Sequence, residues 1–163
     1  MAKKMKNKMT IRPLTEPREL VGTWHIHATN FPMWLSGKRD NPKFIYQETD
    51  SPHVLLDTVS YTTKSGHTKT IKGKDTYDSE TGVYTWRGTY LLRLVSSKWR
   101  ILFIDKNQGI AIIAFEKSLL TSSGIDIISR HKTIDRTALR SSLSKQPNDY
   151  GLSEEQYHSL TWL

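Results

Sequence analysis

The chain has no cysteine among its 163 residues. A disulfide framework, a thiolate metal site and a cysteine nucleophile are therefore excluded, and the absence of cysteine favours a reducing compartment. No stretch of the sequence approaches the roughly 18 consecutive apolar residues that a membrane-spanning helix needs, so we expect no membrane span. The N-terminal sequence MAKKMKNKMTIRP has a basic run without an apolar segment behind it. It does not have the form of a signal peptide, and we expect a cytoplasmic protein.

Motifs that carry catalysis or bind cofactors are also missing. The sequence has no nucleophile elbow, no phosphate-binding loop, no HExxH motif and no suggestive Ser/His/Asp arrangement. We therefore predict no cofactor, no metal and no catalytic residue from motifs alone.

Positive charge is concentrated at the N-terminus. The formal net charge is +8, and Lys3, Lys4, Lys6 and Lys8 supply half of it. We expect residues 1–14 to form a flexible basic tail and residues 15–163 to form a single domain. Such a tail could contact an anionic surface, although a solvated tail that aids solubility is the simpler interpretation.

Short segments rich in Val, Ile, Thr, Tyr and Trp alternate with turn residues at roughly ten-residue spacing, which is typical of an antiparallel sandwich or barrel. The predicted strands are Glu19–Ala28, Lys43–Thr49, Val54–Tyr61, Thr68–Thr76, Val83–Thr89, Tyr90–Val95, Trp99–Asp105, Gly109–Glu116 and Gly124–Arg130. The long helices that a parallel sheet needs between its strands are missing.

Helix signals occur only near the end of the chain. Asp135 is placed to cap a helix that runs to about Gln146, and Ser153 with Gln156 has the spacing of a capping box. Segment Gly109–Glu116 is apolar on both faces, so one face must be covered from outside. We expect the first of these helices to cover it.

The stretch LVGTWHIHATNFPMWL, residues 20–35, allows two interpretations. His25 and His27 share one face of a strand and could be metal ligands, but a zinc site needs three or four ligands. Trp24 and Ile26 share the other face with Gly22, which makes that face the buried one. The second interpretation is favoured, with both histidines half-exposed on the outer wall.

Gly22-Thr23-Trp24 resembles the first-strand signature of the lipocalins. The segment from Gly124 to Asp135, with Ser129-Arg130 at its strand end, is similar to the last barrel strand of bacterial lipocalins, and Leu160–Leu163 lies where the family often has one more short strand. The middle family motif is matched only loosely, by residues 103–107. The resemblance implies that Gly22, Trp24 and Arg130 close one end of the barrel, with Arg130 across the Trp24 ring.

The predicted fold is therefore all-β: an antiparallel lipocalin-like barrel of eight to nine strands, with one C-terminal α-helix packed outside and a short closing segment. A barrel of this size has room for one small ligand. Candidate ligand-binding residues are aromatic residues of the strands and of the loop after the first strand, together with one arginine: Phe31, Trp34, Phe44, Tyr46, Tyr84, Trp86, Arg87, Trp99 and Phe103.

Two of these assignments leave alternatives open. The loop with Phe31 and Trp34 could be a lid across the barrel mouth or an ordinary apolar loop. Arg87 could bind an acidic head group if it points inward, but alternation with Trp86 places it outside. Trp99 and Phe103 are expected to share one face with Ile101.

The predicted function is to hold a small hydrophobic or amphipathic molecule, fatty-acid- or lipid-like, inside the barrel. One alternative is a barrel enzyme, such as an isomerase, hydratase or decarboxylase acting on a small hydrophobic acid, with Tyr46, Glu48, Asp57 and Arg87 as candidate groups. A second alternative is a nucleic-acid-binding barrel, motivated by positive charge and aromatic residues. The oligomeric state is left open by the sequence.

Overall fold

The computed structural model describes residues 15–118 and 122–163. The predicted basic tail, residues 1–14, lies outside the described residues. Nine strands are formed within the described part of the chain: β1 Gly22–Thr29, β2 Arg39–Glu48, β3 Val54–Thr63, β4 Thr68–Asp78, β5 Val83–Gly88, β6 Ser96–Asp105, β7 Ile110–Phe115, β8 Gly124–Ser129 and β9 Thr161–Trp162.

Strands β1 to β8 form a closed antiparallel barrel. Each strand pairs with the next along the chain, and β1 pairs with both β2 and β8, which closes the circle. Strand β9 pairs with the end of β1, with Ala28 opposite Trp162 and Thr29 opposite Thr161. The predicted barrel and its closing strand are confirmed.

The helices of the described residues are short. They are α1 Pro32–Leu35, α2 Arg136–Lys145 and α3 Glu154–His158, with 3-10 turns at Pro17–Leu20, Tyr90–Leu92 and Pro147–Tyr150. Both predicted caps are present, because the Asp135 carboxylate accepts from the Ala138 N–H at 3.0 Å and the Ser153 hydroxyl accepts from the Gln156 N–H at 3.1 Å. Helix α2 is the predicted C-terminal helix.

The predicted strand Tyr90–Val95 is wrong. Its apolar residues, three leucines with Tyr90 and Val95, had suggested a strand, but the Gly88 N–H bonds to the Val95 carbonyl and the Leu92 N–H to the Thr89 carbonyl. These bonds form a looped connection with a 3-10 turn, and Tyr90 has a positive φ of 53°. Strand β6 consequently begins at Ser96, where the sequence had indicated a turn.

Apolar side chains pack into two cores, one on each side of the barrel wall. The inner core contains Trp24, Tyr46 and Trp99, whereas the outer core packs Leu143 of α2 and Leu152 against the outside of β7 and β8. Strand β7 contributes to both cores: Ala111 and Ile113 point inward, and Ile110, Ile112 and Ala114 point outward. The prediction that α2 covers the second face of this strand is confirmed.

One end of the barrel is closed by the contact between Trp24 and Arg130. The Arg130 guanidinium lies 4.2 Å from the centre of the Trp24 ring, and its two terminal nitrogens donate to the Val21 and Glu19 carbonyls at 2.6 Å each. The Trp24 indole N–H donates to the Leu20 carbonyl at 2.8 Å. The first and last strands of the barrel are thereby tied together, as the resemblance implied.

Gly22 is required by this arrangement for two reasons. Its φ of 115° lies in a region that residues with a side chain rarely adopt. A Cβ atom at this position would also lie 2.7 Å from Arg130 Nη1. The Gly-x-Trp signature is thus explained by the space that the arginine occupies.

Candidate functional site: the barrel interior

The half of the barrel nearer the closed end is filled by stacked aromatic rings. Tyr84 stacks on Trp99 with ring centres 4.1 Å apart, and Trp99 stacks on Tyr46 at 5.9 Å. Phe44 lies against Tyr46 at 6.1 Å. All four side chains are at least 96% buried. These four predicted ligand-binding residues therefore point inward, but they serve chiefly as the packed floor of the interior.

Two carboxyl groups are buried within this floor. Asp57 of β3 and Asp75 of β4 are 4% and 0% exposed and share a hydrogen bond. Asp75 also accepts from the Trp99 indole N–H at 2.9 Å. Burial raises the pKa of Asp57 well above its usual value, and burial raises that of Asp75 to about 6. A neutral Asp57 that donates to an ionised Asp75 is the arrangement that these shifts favour.

A third buried carboxyl group, Asp126 of β8, lies nearer the other end. It accepts from the Thr29 hydroxyl at 2.5 Å and from the Trp34 indole N–H. Burial raises the pKa of Asp126 to about 7, although both hydrogen bonds act to lower it. One oxygen of each of the three carboxyl groups has no partner among the described residues.

These contacts hold the loop after β1 over the barrel mouth. Trp34 of α1 is 3% exposed and meets the edge of Tyr61, with ring centres 6.1 Å apart. Phe31 packs against Phe115 at 5.6 Å, and its N–H donates to the Thr29 hydroxyl at 2.8 Å. Of the two interpretations of this loop, the structure favours the lid.

Inward-facing side chains beneath this lid remain partly exposed. They belong to the inner core but are only half-buried: Phe31, Val59, Tyr61, Trp86 and Phe115. The Trp86 indole nitrogen and one oxygen of Asp126 are buried without a hydrogen-bond partner among the described residues. This end of the barrel therefore combines accessible aromatic surface with unsatisfied polar groups.

Two predicted ligand-binding residues lie outside the barrel. Arg87 is exposed, and its guanidinium donates to the Arg93 carbonyl at 3.3 Å, so strict alternation with Trp86 holds. Phe103 packs against Tyr150 on the outer face, with ring centres 4.8 Å apart. A bulge in β6 between Ile101 and Phe103 reverses the alternation that had placed them on one face. The expectation of an inward Phe103 is wrong.

The histidine pair is less symmetric than expected. His25 is half-exposed on the outer wall, but His27 is only 3% exposed and its Nε2 donates to the His131 carbonyl at 2.8 Å. The burial follows from the bulge in β1 between Ile26 and Ala28 and from the pairing with β9. Across residues 15–118 and 122–163, no three His, Asp or Glu side chains are grouped as a metal site.

Sequence reasoning missed Asp75 and Asp126 as interior residues. The segment Thr68–Asp78 is rich in lysine and threonine, and its alternation would not by itself identify a buried face. In contrast, Asp126 stands in strand Gly124–Ser129 among three isoleucines, one glycine and one serine, all of which are buried. An acidic residue inside an apolar strand was the available signal.

No helix in the described part of the chain is long and apolar enough to cross a membrane. No protein-family model and no curated protein sequence matches the chain.

Solved structures do resemble it. The cockroach allergen Per a 4 superimposes with a TM-score of 0.64 at 17% identity, covering 90% of this chain and 88% of that one. Lobster apocrustacyanin A1 gives 0.62 at 11% identity, covering 89% and 77%. The siderocalin Ex-FABP, described as acting through dual ligand specificities, gives 0.61 at 15% identity, covering 89% and 93%. The likeness shows the fold, and the chain is an eight-stranded barrel of the lipocalin type with one additional strand.

Proposed function

We propose that the protein binds a small hydrophobic or amphipathic molecule in the lidded half of the barrel. The observation that carries the proposal is the difference in packing between the two halves of the barrel interior. Trp24, Tyr46 and Trp99 fill the closed half, whereas Val59 and Tyr61 beneath the lid keep accessible surface. Apolar pockets of this kind are the usual sites of small-molecule binding in barrels.

The polar groups of the interior favour a particular head group. Asp126 and Asp75 have pKa values of about 7 and about 6, so at neutral pH they carry appreciable negative charge. A carboxylate ligand would be repelled by them, whereas a hydroxyl, amide or amine group could donate to the unpartnered oxygen of Asp126, which lies nearer the lid than the Asp57–Asp75 pair. A lipid-like molecule with a neutral or donating head group therefore suits the interior better than an ionised fatty acid.

A neutral fluorescent probe tests the location. We expect N-phenyl-1-naphthylamine to bind with enhanced emission and to be displaced by native ligands. Val59→Phe places a larger ring into the lidded space and is expected to weaken binding by about tenfold, since it blocks the site and strains the packing. Thr58→Phe is the matched control, because position 58 lies on the opposite face of the same strand.

The head group is tested by competition. Dodecanol is expected to displace the probe at lower concentration than dodecanoate at pH 8, and the difference is expected to narrow at pH 5. Equal probe binding by wild type, Val59→Phe and Thr58→Phe would show that the probe does not enter the barrel. Stronger competition by dodecanoate at pH 8 would overturn the head-group argument alone. Thermal denaturation of each variant checks that it is folded.

The enzyme alternative gains no comparable support. Glu48 and Arg87 are exposed, and Tyr46 and Asp57 are sealed within the packed floor. A general acid or base must reach the substrate within hydrogen-bonding distance, which none of these groups does for a molecule beneath the lid.

A further inference from the structure

Strands β1 and β2 separate from each other beyond their short paired segment. The two strands pair only from Gly22 opposite Tyr46 to His25 opposite Lys43. Beyond this point β1 bulges and pairs with β9, while β2 bulges between Asp40 and Lys43. The separation leaves a cleft of about 690 Å³, bounded by β1, β2, α1, the start of α2 and β9.

Positive charge dominates the lining of this cleft. Five basic side chains line it against the single acidic residue Asp40: Arg39, Lys132 and Arg136 carry a positive charge at neutral pH, and His25 and His27 gain one when they are protonated. None of the five forms an ion pair within residues 15–118 and 122–163, where the ion pairs are Arg100–Glu116 and Lys106–Glu19. The cleft thus concentrates cations that the described protein does not neutralise.

Burial and the positive charges of the cleft both lower the pKa values of the two histidines that line it. Burial lowers the pKa of His25, and the charges of Lys43, His27 and Lys132 lower it further. Burial likewise lowers the pKa of His27, with a contribution from Arg136, although its bond to the His131 carbonyl raises it. The basic groups of β1, β2 and the α2 region therefore converge on one volume.

The base of the cleft is apolar. Its apolar lining residues are Ile26, Trp34, Leu35 and Leu163, of which Leu35 and Leu163 keep accessible surface. A bare inorganic ion would leave this surface uncovered, whereas an anion that carries a small apolar group would use both features.

We propose that the β1–β2 cleft is a second binding site, for a soluble organic anion such as a phosphate monoester. The phosphate would lie among His25, Lys132 and Arg136, with the apolar group against Leu35 and Leu163. The site does not depend on the proposed ligand of the barrel interior, since it opens on the outside of the wall.

Phenyl phosphate titration followed by histidine NMR resonances tests the proposal. We expect saturable shifts of the His25 and His27 ring signals, with unchanged signals for His53, His67 and His158, which lie elsewhere. The apparent pKa values of His25 and His27 are expected to rise on binding, because an anion favours the charged imidazolium. Binding is expected to weaken with added sodium chloride.

Variants locate the anion. The double substitution Lys132→Gln, Arg136→Gln is expected to weaken phenyl phosphate binding by roughly threefold to tenfold or more, since exposed charges each contribute modestly. Lys145→Gln is the charge control, because it lies on the same helix but does not line the cleft. Circular dichroism confirms that each variant is folded.

The outcomes are decisive in either direction. Binding that is lost in the double variant and kept in Lys145→Gln supports the site. Equal effects of the two, shifts at all histidines alike, or no saturation would overturn it. Binding to phosphatidic acid vesicles without binding to phenyl phosphate would also overturn it and indicate a lipid surface as the source of the phosphate. Val59→Phe, which tests the barrel interior, is expected to leave phenyl phosphate binding unchanged.

Discussion

Arg130 stabilises the closed end of the barrel through several contacts at once, and its replacement by methionine measures their joint contribution. Methionine keeps an apolar chain against the Trp24 ring but loses the charge and the bonds to the Val21 and Glu19 carbonyls, both 2.6 Å long. Hydrogen bonds to charged groups contribute about 1.5–3 kcal/mol each, and a cation–π contact about 0.5–2 kcal/mol. Because the guanidinium is partly solvated, the lower end of each range applies, which gives about 3–4 kcal/mol.

The assay is urea denaturation at pH 7, followed by tryptophan fluorescence and analysed as a two-state transition. Arg100→Met is the control, because Arg100 forms an exposed ion pair with Glu116 at 3.0 Å that is expected to contribute at most about 1 kcal/mol. If Arg130→Met lost no more stability than Arg100→Met, the tie between the first and last strands would not depend on the arginine. The explanation of the Gly-x-Trp signature would then fail as well.

Substitutions at three further positions probe the backbone and the buried carboxyl groups. Gly22→Ala is expected to lose about 2–4 kcal/mol of unfolding free energy, since alanine is strained at a φ of 115° and its Cβ atom meets Arg130. Asp126 binds its proton more tightly in the folded state, with a pKa of about 7 against 3.8, so wild-type stability falls as pH rises through this window. The unfolding free energy of Asp126→Asn is therefore expected to rise relative to that of wild type by on the order of 2–4 kcal/mol as the pH increases from 4 to 8. A pH-independent difference in urea midpoints would contradict the shift. Asp57→Asn keeps a hydrogen-bond donor for Asp75 and is expected to change the free energy of unfolding by about 1 kcal/mol or less. Asp57→Leu removes that donor and is expected to lower the free energy of unfolding by more than about 2 kcal/mol.

The fold was predictable because local signals and the hydrophobic pattern agreed. Asp135 and Ser153 cap the helices that they were expected to cap, since a short polar side chain before a helix satisfies free backbone N–H groups. Gly22 and Trp24 placed the first strand, and the double-faced β7 required a cover that α2 provides. Each of these inferences depends on neighbours in sequence or on one face of one strand.

The errors arise where backbone irregularity overrides alternation. Phe103 was assigned to the interior by counting from Trp99, but one bulge moves it to the outer core. His27 becomes buried for the same reason, because the β1 bulge and β9 cover it. Composition offers no reliable sign of a bulge, so alternation is dependable only up to the first irregularity in a strand.

The candidate site was predictable only in its aromatic part. Tyr46, Tyr84 and Trp99 were expected inside the barrel, and they lie there. Contacts between strands that are distant in sequence decide which aromatic residues fill the interior and which border the space for a ligand. The Asp57–Asp75 pair depends on the register of β3 against β4, where Asp57 lies opposite Gly73. Register between strands cannot be counted along one strand, and the acidic character of the interior therefore stayed hidden.

The distribution of charge across the barrel wall constrains what can bind where. The interior holds Asp57, Asp75 and Asp126, while the β1–β2 cleft collects, on the outside, cations that form no ion pair within the described residues. An amphipathic acid cannot place its carboxylate beneath the lid without facing buried carboxyl groups, but it can place that group in the cleft. The wall thus separates two chemistries: neutral or donating molecules are suited to the interior, and anions are suited to the outer surface. A competition experiment between dodecanol and phenyl phosphate tests this separation, since two independent sites predict that neither molecule displaces the other.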